Sequence, residues 1–189
     1  MTSRLFSFVG GSAGHWQVTR METVIGASLE QAACLDILEG NLNALPEGAA
    51  WVLRGVTSYE RYVNRAEQQS LIAIQPPLDR PQATCAALIP VKKSASWWQL
   101  PQDERRAIFE AHSHHIQTGL QYLPAVARRL HHGHDLGEPF DFLTWFEYAP
   151  ADAEAFERLT RTLRNTEEWH YVEREIDIRL MRGQLVFRR

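Results

Sequence analysis

The residues best equipped for chemistry stand in one segment, His112-Ser113-His114-His115-Ile116-Gln117-Thr118-Gly119-Leu120-Gln121-Tyr122-Leu123-Pro124-Ala125-Val126-Ala127-Arg128. An imidazole can ligate a metal ion or the iron of a porphyrin. A guanidinium in a mostly apolar setting stays charged at any ordinary pH and can hold an anion. Here both occur close together, with Pro124 between them to break helical phasing. A second histidine group follows at His131, His132 and His134. A zinc reading needs three or four ligands converging tetrahedrally. His112 and His115 share a helix face, but His114 and His115 differ by about 100° and cannot both point at one centre. No carboxylate stands at the His-Glu-x-x-His spacing, so zinc is disfavoured.

The elements that must position these side chains follow from periodicity and punctuation. His15–Arg20 alternates like a half-buried strand, and Thr23–Ile25 reads as a second short one. Ser28–Leu38 has helical spacing, followed by a turn-rich connector from Gly40 to Gly48. Trp51–Thr57 reads as a strand, and Ser58 as the N-cap of a helix over Tyr59–Ser70 with Glu60 in its first turn. Leu71–Ile74 suits a strand or a helix end, closed by Pro76-Pro77. Thr84–Val91 is strand-like. Pro101 opens a helix expected to run to about Tyr122, where Pro124 ends or kinks it. Phe140–Tyr148 alternates as a strand, Asp152–Arg164 is an amphipathic helix, and Tyr171–Leu180 is a last strand. Half-buried strands alternating with helices predict an α+β fold with an antiparallel sheet and helices on one face. Two ferredoxin-like halves closing into a barrel-like sheet fit this order, although no internal sequence repeat is visible.

The chain has 189 residues, the length of one domain or two small fused repeats. Hydrophobic residues make up 44% and charged residues 23%, as in an ordinary globular protein. A formal net charge of −3 gives no electrostatic case for nucleic acid or an anionic membrane surface. The N-terminus is too poor in apolar residues for a signal peptide, and no window reaches the roughly 18 apolar residues that span a membrane. Cys34 and Cys85 read as free thiols in a reducing compartment, so a cytoplasmic protein is expected. Without a Cys-x-x-Cys-His motif, covalent haem attachment has no support.

A chain of longer matches then appears: Ala87-Leu88-Ile89-Pro90, Lys93-Ser94-Ala95-Ser96-Trp97-Trp98, Asp103-Glu104-Arg105-Arg106-Ala107-Ile108-Phe109-Glu110, Ser113-His114-His115-Ile116, Tyr122-Leu123-Pro124-Ala125-Val126-Ala127-Arg128, Gly137–Tyr148 and Thr166-Glu167-Glu168-Trp169. With these, nearly the whole sequence resembles the chlorite dismutase family, and its short N-terminal half resembles the compact, dimeric lineage. The resemblance implies one dimeric α+β barrel domain over residues 1–189, with approximate halves 1–95 and 96–189 and the haem site mainly in the second. It implies non-covalent haem b, a homodimer, and the conversion of chlorite, a small anion, to chloride and dioxygen.

Carried over residue by residue, His115 resembles the proximal haem ligand, with His114 the alternative on residue type alone. Glu168 resembles the carboxylate that accepts the second N–H of that imidazole, which raises its basicity. Arg128 resembles the distal catalytic arginine, on the opposite haem face, although Arg129 offers the same chemistry. Gln75 resembles the distal glutamine that can hold the arginine side chain. Trp97 and Trp98 resemble pocket aromatics, and Lys92 or Lys93 a partner for a haem propionate. Three rivals remain: a coproheme decarboxylase-like enzyme, against which Arg128 argues; a non-catalytic haem-binding or haem-sensing protein; and a weak peroxidase, for which no distal histidine base is evident.

Overall fold

The computed structural model describes residues 4–42, 44–57 and 62–183. Its first half holds β1 (Leu5–Gly11), β2 (Trp16–Ile25), β3 (Cys34–Glu39), β4 (Ala49–Thr57) and helix α1 (Arg65–Ile74). The second begins with β5 (Cys85–Lys93) and continues through short helices α2 (Ala95–Gln99) and α3 (Gln102–Arg106), a π-helical stretch (Ala107–His112) and α4 (His115–Leu120). It ends with β6 (Ala127–His132), β7 (Phe142–Tyr148), α5 (Ala153–Arg164) and β8 (Val172–Arg182).

The strands close into a barrel in the order β1-β3-β2-β8-β5-β7-β6-β4, and every neighbouring pair is antiparallel. Read around the barrel, the first four strands run β4-β1-β3-β2 and the last four β8-β5-β7-β6. Each half therefore has the fourth-first-third-second order of a ferredoxin-like unit, as expected. Closure removes the exposed sheet edges that invite wrong pairing. The second half carries helices in its connections, while among the described residues the first has no helix between β1 and β2 or between β3 and β4. The β1–β2 link passes directly over β3: a Cβ on Gly14 would lie 2.7 Å from the Leu35 carbonyl carbon, so this close approach requires glycine.

Strand alternation divides the apolar residues between two layers. Phe8, Leu35, Leu53, Leu88, Trp145 and Ile178 fill the barrel interior. Ile89, Val91, Phe146 and Val172 face outward and are covered by Phe156, Leu159 and Leu163 of α5. Each such fully buried side chain contributes about 1.5–3 kcal/mol. The outer layer matters most here, because the helices leave a cavity against it.

Several sequence expectations change. Ser28–Leu38 is not a helix. Its second part is β3, pulled into the sheet because Leu35 fills the barrel and its backbone pairs with both β1 and β2. The two short strands expected between His15 and Ile25 are one, β2. Helix α1 starts later than expected, at a capping box in which Asn64 accepts from Glu67 N while Glu67 accepts from Asn64 N. The expected cap at Ser58 lies outside the described residues. Leu71–Ile74 is the end of that helix. The helix expected from Pro101 to Tyr122 widens at Ala107–His112 and breaks at His114, whose φ is 51°. Strands β1 and β6 were not legible as elements. Cys34 and Cys85 are free and partly buried. Among the described residues, no helix is long and apolar enough to cross a membrane.

Candidate active site

A cavity of about 720 Å³ lies between the outer barrel wall and the helices. It falls within the roughly 300–1,000 Å³ typical of ligand and cofactor sites. Its walls are mainly apolar, with Ile89, Val91, Val126 and Phe146 among them, and His115, Glu168, Arg128, Gln75, Lys93 and Trp97 also border it.

The break at His114 sets the position of His115. With His114 left-handed, α4 restarts at His115 without a cap from its own N-cap side chain. Glu110 supplies that cap instead: its carboxylate accepts from Ile116 N at 2.6 Å and Gln117 N at 3.2 Å. The His115 ring then stacks on Phe109, with centroids 4.4 Å apart, and lies nearly parallel to Trp169. His114 is exposed and does not border the cavity, which separates the two adjacent imidazoles.

His115 Nδ1 is 2.7 Å from Glu168 Oε2, so Nε2 is the nitrogen left for a ligand in the cavity. Glu168 is buried and follows α5 in a short 3₁₀ turn. Its N–H donates to Ser113 Oγ at 2.9 Å, tying the turn to the broken helix. On its other oxygen it accepts from Lys93 Nζ at 2.8 Å. Burial pushes the Glu168 carboxyl up, but the charges and hydrogen bonds of Lys93 and His115 outweigh it and hold the group down to about 2. The carboxylate is therefore ionised at any working pH, and it orients the imidazole and makes it a stronger donor.

The two lysines differ in setting. Lys93 is buried at the cavity wall, also donates to the Glu168 carbonyl at 3.3 Å, and lies 4.6 Å from the Trp97 ring centroid. Its ammonium is paired with the carboxylate behind the imidazole. Lys92 is paired at the surface with Glu173. Trp97 is buried in the cavity wall, whereas Trp98 is not part of it. Trp98 stacks on His134 at 3.7 Å and donates to Asp141 at 3.2 Å.

Arg128 lies in β6, with its guanidinium against α4: a Cβ on Gly119 would lie 3.4 Å from Arg128 Nη1. Arg129 also borders the cavity, but its guanidinium lies over the Phe6 ring at 5.8 Å. Alternation along β6 sends the two neighbouring side chains to opposite faces of the strand. Gln75, the C-cap of α1, donates from Nε2 to the main-chain carbonyl of Arg128 at 2.8 Å. This contact is with the strand backbone, where the sequence suggested the side chain. The histidines of the second group do not gather. His131 points into the barrel between Phe6 and Phe8, and His134 pairs with Asp141. No cluster of three metal-ligating side chains occurs among the described residues.

The cavity also suits a large planar cofactor with acceptor groups. The buried Trp97 Nε1 and Tyr62 hydroxyl, both on cavity-lining residues, have no hydrogen-bond partner among the described residues. Such donors can be satisfied by ordered water or by an acceptor on a bound group. Together with the remaining His115 nitrogen and the mainly apolar walls, they match what a non-covalent haem requires.

Fold and site together define a two-half antiparallel α+β barrel whose outer wall carries a cofactor-sized cavity and a carboxylate-backed imidazole. The family model described as chlorite dismutase matches residues 29–184. The chain belongs to the chlorite dismutase family. A dimeric chlorite dismutase from Nitrobacter winogradskyi superposes with a TM-score of 0.88 at 56% identity, over 94% of this chain and 99% of that one. Chlorite dismutase of Candidatus Nitrospira defluvii, solved in complex with imidazole, shares the fold with a TM-score of 0.66 at 22% identity, over 95% of this chain and 92% of that one. Chlorite dismutase of Ideonella dechloratans is 38% identical over 86 residues, 46% of this chain. That match spans only 28% of the Ideonella protein's length.

Proposed function

We propose that this chain is a homodimeric haem b enzyme that converts chlorite to chloride and dioxygen. The observation that carries the reading is the meeting, in one mainly apolar cavity, of a carboxylate-backed imidazole and a guanidinium. His115 Nε2 would hold the haem iron, and the Trp97 and Tyr62 donors would meet its acceptor groups. When bound, haem supplies the redox chemistry that breaks the Cl–O bond and joins the two oxygens. Lys93 and Glu168 keep the imidazole oriented, with its second proton shared with a carboxylate. Arg128 attracts the chlorite anion and keeps the departing chlorine oxyanion close until the second bond forms. The apolar walls limit competition from water.

The dimer is supported by the 56% identity to a dimeric relative, and sedimentation at micromolar concentration checks it. Free, partly buried Cys34 and Cys85 suit a reducing, cytoplasmic setting. The activity is tested by loading the purified protein with haem, recording its spectrum, and adding chlorite in an oxygen electrode. One dioxygen and one chloride per chlorite are expected. Haem uptake without oxygen release would overturn the enzymatic reading and favour a haem-binding role.

A further inference from the structure

Resting on the role given to Arg128, we propose that Arg80 is a positioning residue that sets where the Arg128 guanidinium stands. In the barrel order β6 lies between β7 and β4, and it pairs with β7 along its whole length, from Ala127 to His132. Among the described residues, β4 pairs with it at His131 and His132. The segment after α1 meets the start of β6, where Arg128 stands. Gln75 donates to the Arg128 carbonyl, and the Arg80 fork holds the chain just ahead of it, donating from Nη1 to Pro124 O at 3.1 Å and from Nη2 to Ala125 O at 2.9 Å.

The clamp is itself anchored. Arg80 Nη2 also reaches the Glu147 carbonyl at 3.5 Å, and Asp79 N donates to the Glu147 carboxylate at 2.5 Å. Glu147 is the register partner of Ala127, next to Arg128. A closed circuit thus runs from β7 through residues 79 and 80 to the chain leading into β6. A planar fork can serve two carbonyls at once, which a lysine ammonium cannot do with the same geometry. Arg80 does not border the cavity, so it acts on the anion only through Arg128.

The test uses haem-loaded protein, with fluoride binding read from the Soret band, and a double-mutant cycle with Arg128→Ala. Displacing a charge by a fraction of an ångström weakens anion binding measurably, so Arg80→Gln is expected to raise the fluoride dissociation constant about tenfold. Arg80→Lys should fall between. In the Arg128→Ala background, Arg80→Gln should change nothing further. Amide exchange across residues 123–128, measured without haem, should quicken in Arg80→Gln while exchange in β8 stays unchanged. An unaltered fluoride constant in Arg80→Gln, or the same weakening with and without Arg128, would overturn the proposal. Wild-type protein that binds fluoride but releases no oxygen from chlorite would refute the catalytic reading and leave the Arg80 result to stand by itself.

Discussion

Glu168 holds His115 and Lys93 on its two carboxylate oxygens, His115 Nδ1 at 2.7 Å and Lys93 Nζ at 2.8 Å. The three side chains come from a broken helix, a 3₁₀ turn and the end of a strand. One buried carboxylate therefore both orients the imidazole and neutralises a buried ammonium. Its replacement has two separable consequences. Glu168→Gln should raise the reduction potential of bound iron, because a less anionic imidazole stabilises ferric iron less, and should weaken haem affinity about 10–100-fold. It should also cost roughly 3–5 kcal/mol of stability by leaving Lys93 buried without a counter-charge. Lys93→Met in the same protein should restore the stability but not the potential, as denaturant titration and potentiometry would show.

The pH dependence of that carboxylate has a definite sign. Its folded value, about 2, lies below the ordinary 4.5, so its contribution is complete above pH 4.5 and lost as pH falls toward 2. Glu168→Gln should flatten the acid limb of stability in that window, read by thermal melts from pH 5 to pH 2.

The adjacent imidazoles are expected to separate cleanly. His115→Ala should abolish the Soret band of reconstituted protein, and His114→Ala should keep it. His114→Gly should raise stability by about 0.5–1 kcal/mol, because His114 is exposed and its φ of 51° suits glycine. Loss of haem in His114→Ala with retention in His115→Ala would reverse the assignment.

His131 supplies a second acid-sensitive element, inside the barrel and away from the cavity. Its burial, between Phe6 and Phe8, pushes the ring down to about 4, with Arg129 and His132 adding repulsion. A histidine kept neutral by the fold stabilises fully above pH 6.5 and progressively less as pH falls toward 4. The loss over that window is about 3 kcal/mol. His131→Gln should remove this pH dependence from the denaturation midpoint, whatever it does to the stability at pH 7.

Arg128→Ala is expected to keep the fold and haem, while kcat/KM for chlorite falls about 10–100-fold and inactivation quickens. A hypochlorite scavenger should protect the variant more than the wild type. Equal escape of hypochlorite from both proteins would remove the role given to this guanidinium.

What the sequence determined by itself was chemistry carried on long local patterns. The strands at Trp51–Thr57, Thr84–Val91, Phe140–Tyr148 and Tyr171–Leu180, and the helix at Asp152–Arg164, were legible because alternation or a helical stripe recurs within each of them. The roles expected of His115, Glu168 and Arg128 rest on neighbouring residue strings that resemble the family, and the structure brings the three to one cavity. Tertiary structure decided the rest. β3 was hidden because Ser28–Leu38 has helical spacing, and only pairing with two other strands draws its second part into the barrel. β6 was hidden by its charged and imidazole side chains, whose two faces meet different surroundings. No spacing rule links Lys93 to Glu168, or Arg80 to Pro124 and Ala125. Those pairs are 75, 44 and 45 residues apart in sequence, and only closure of the barrel brings them within hydrogen-bond reach. A lone sequence shows which charges exist, but the cost of burying a charge without a partner decides which of them meet.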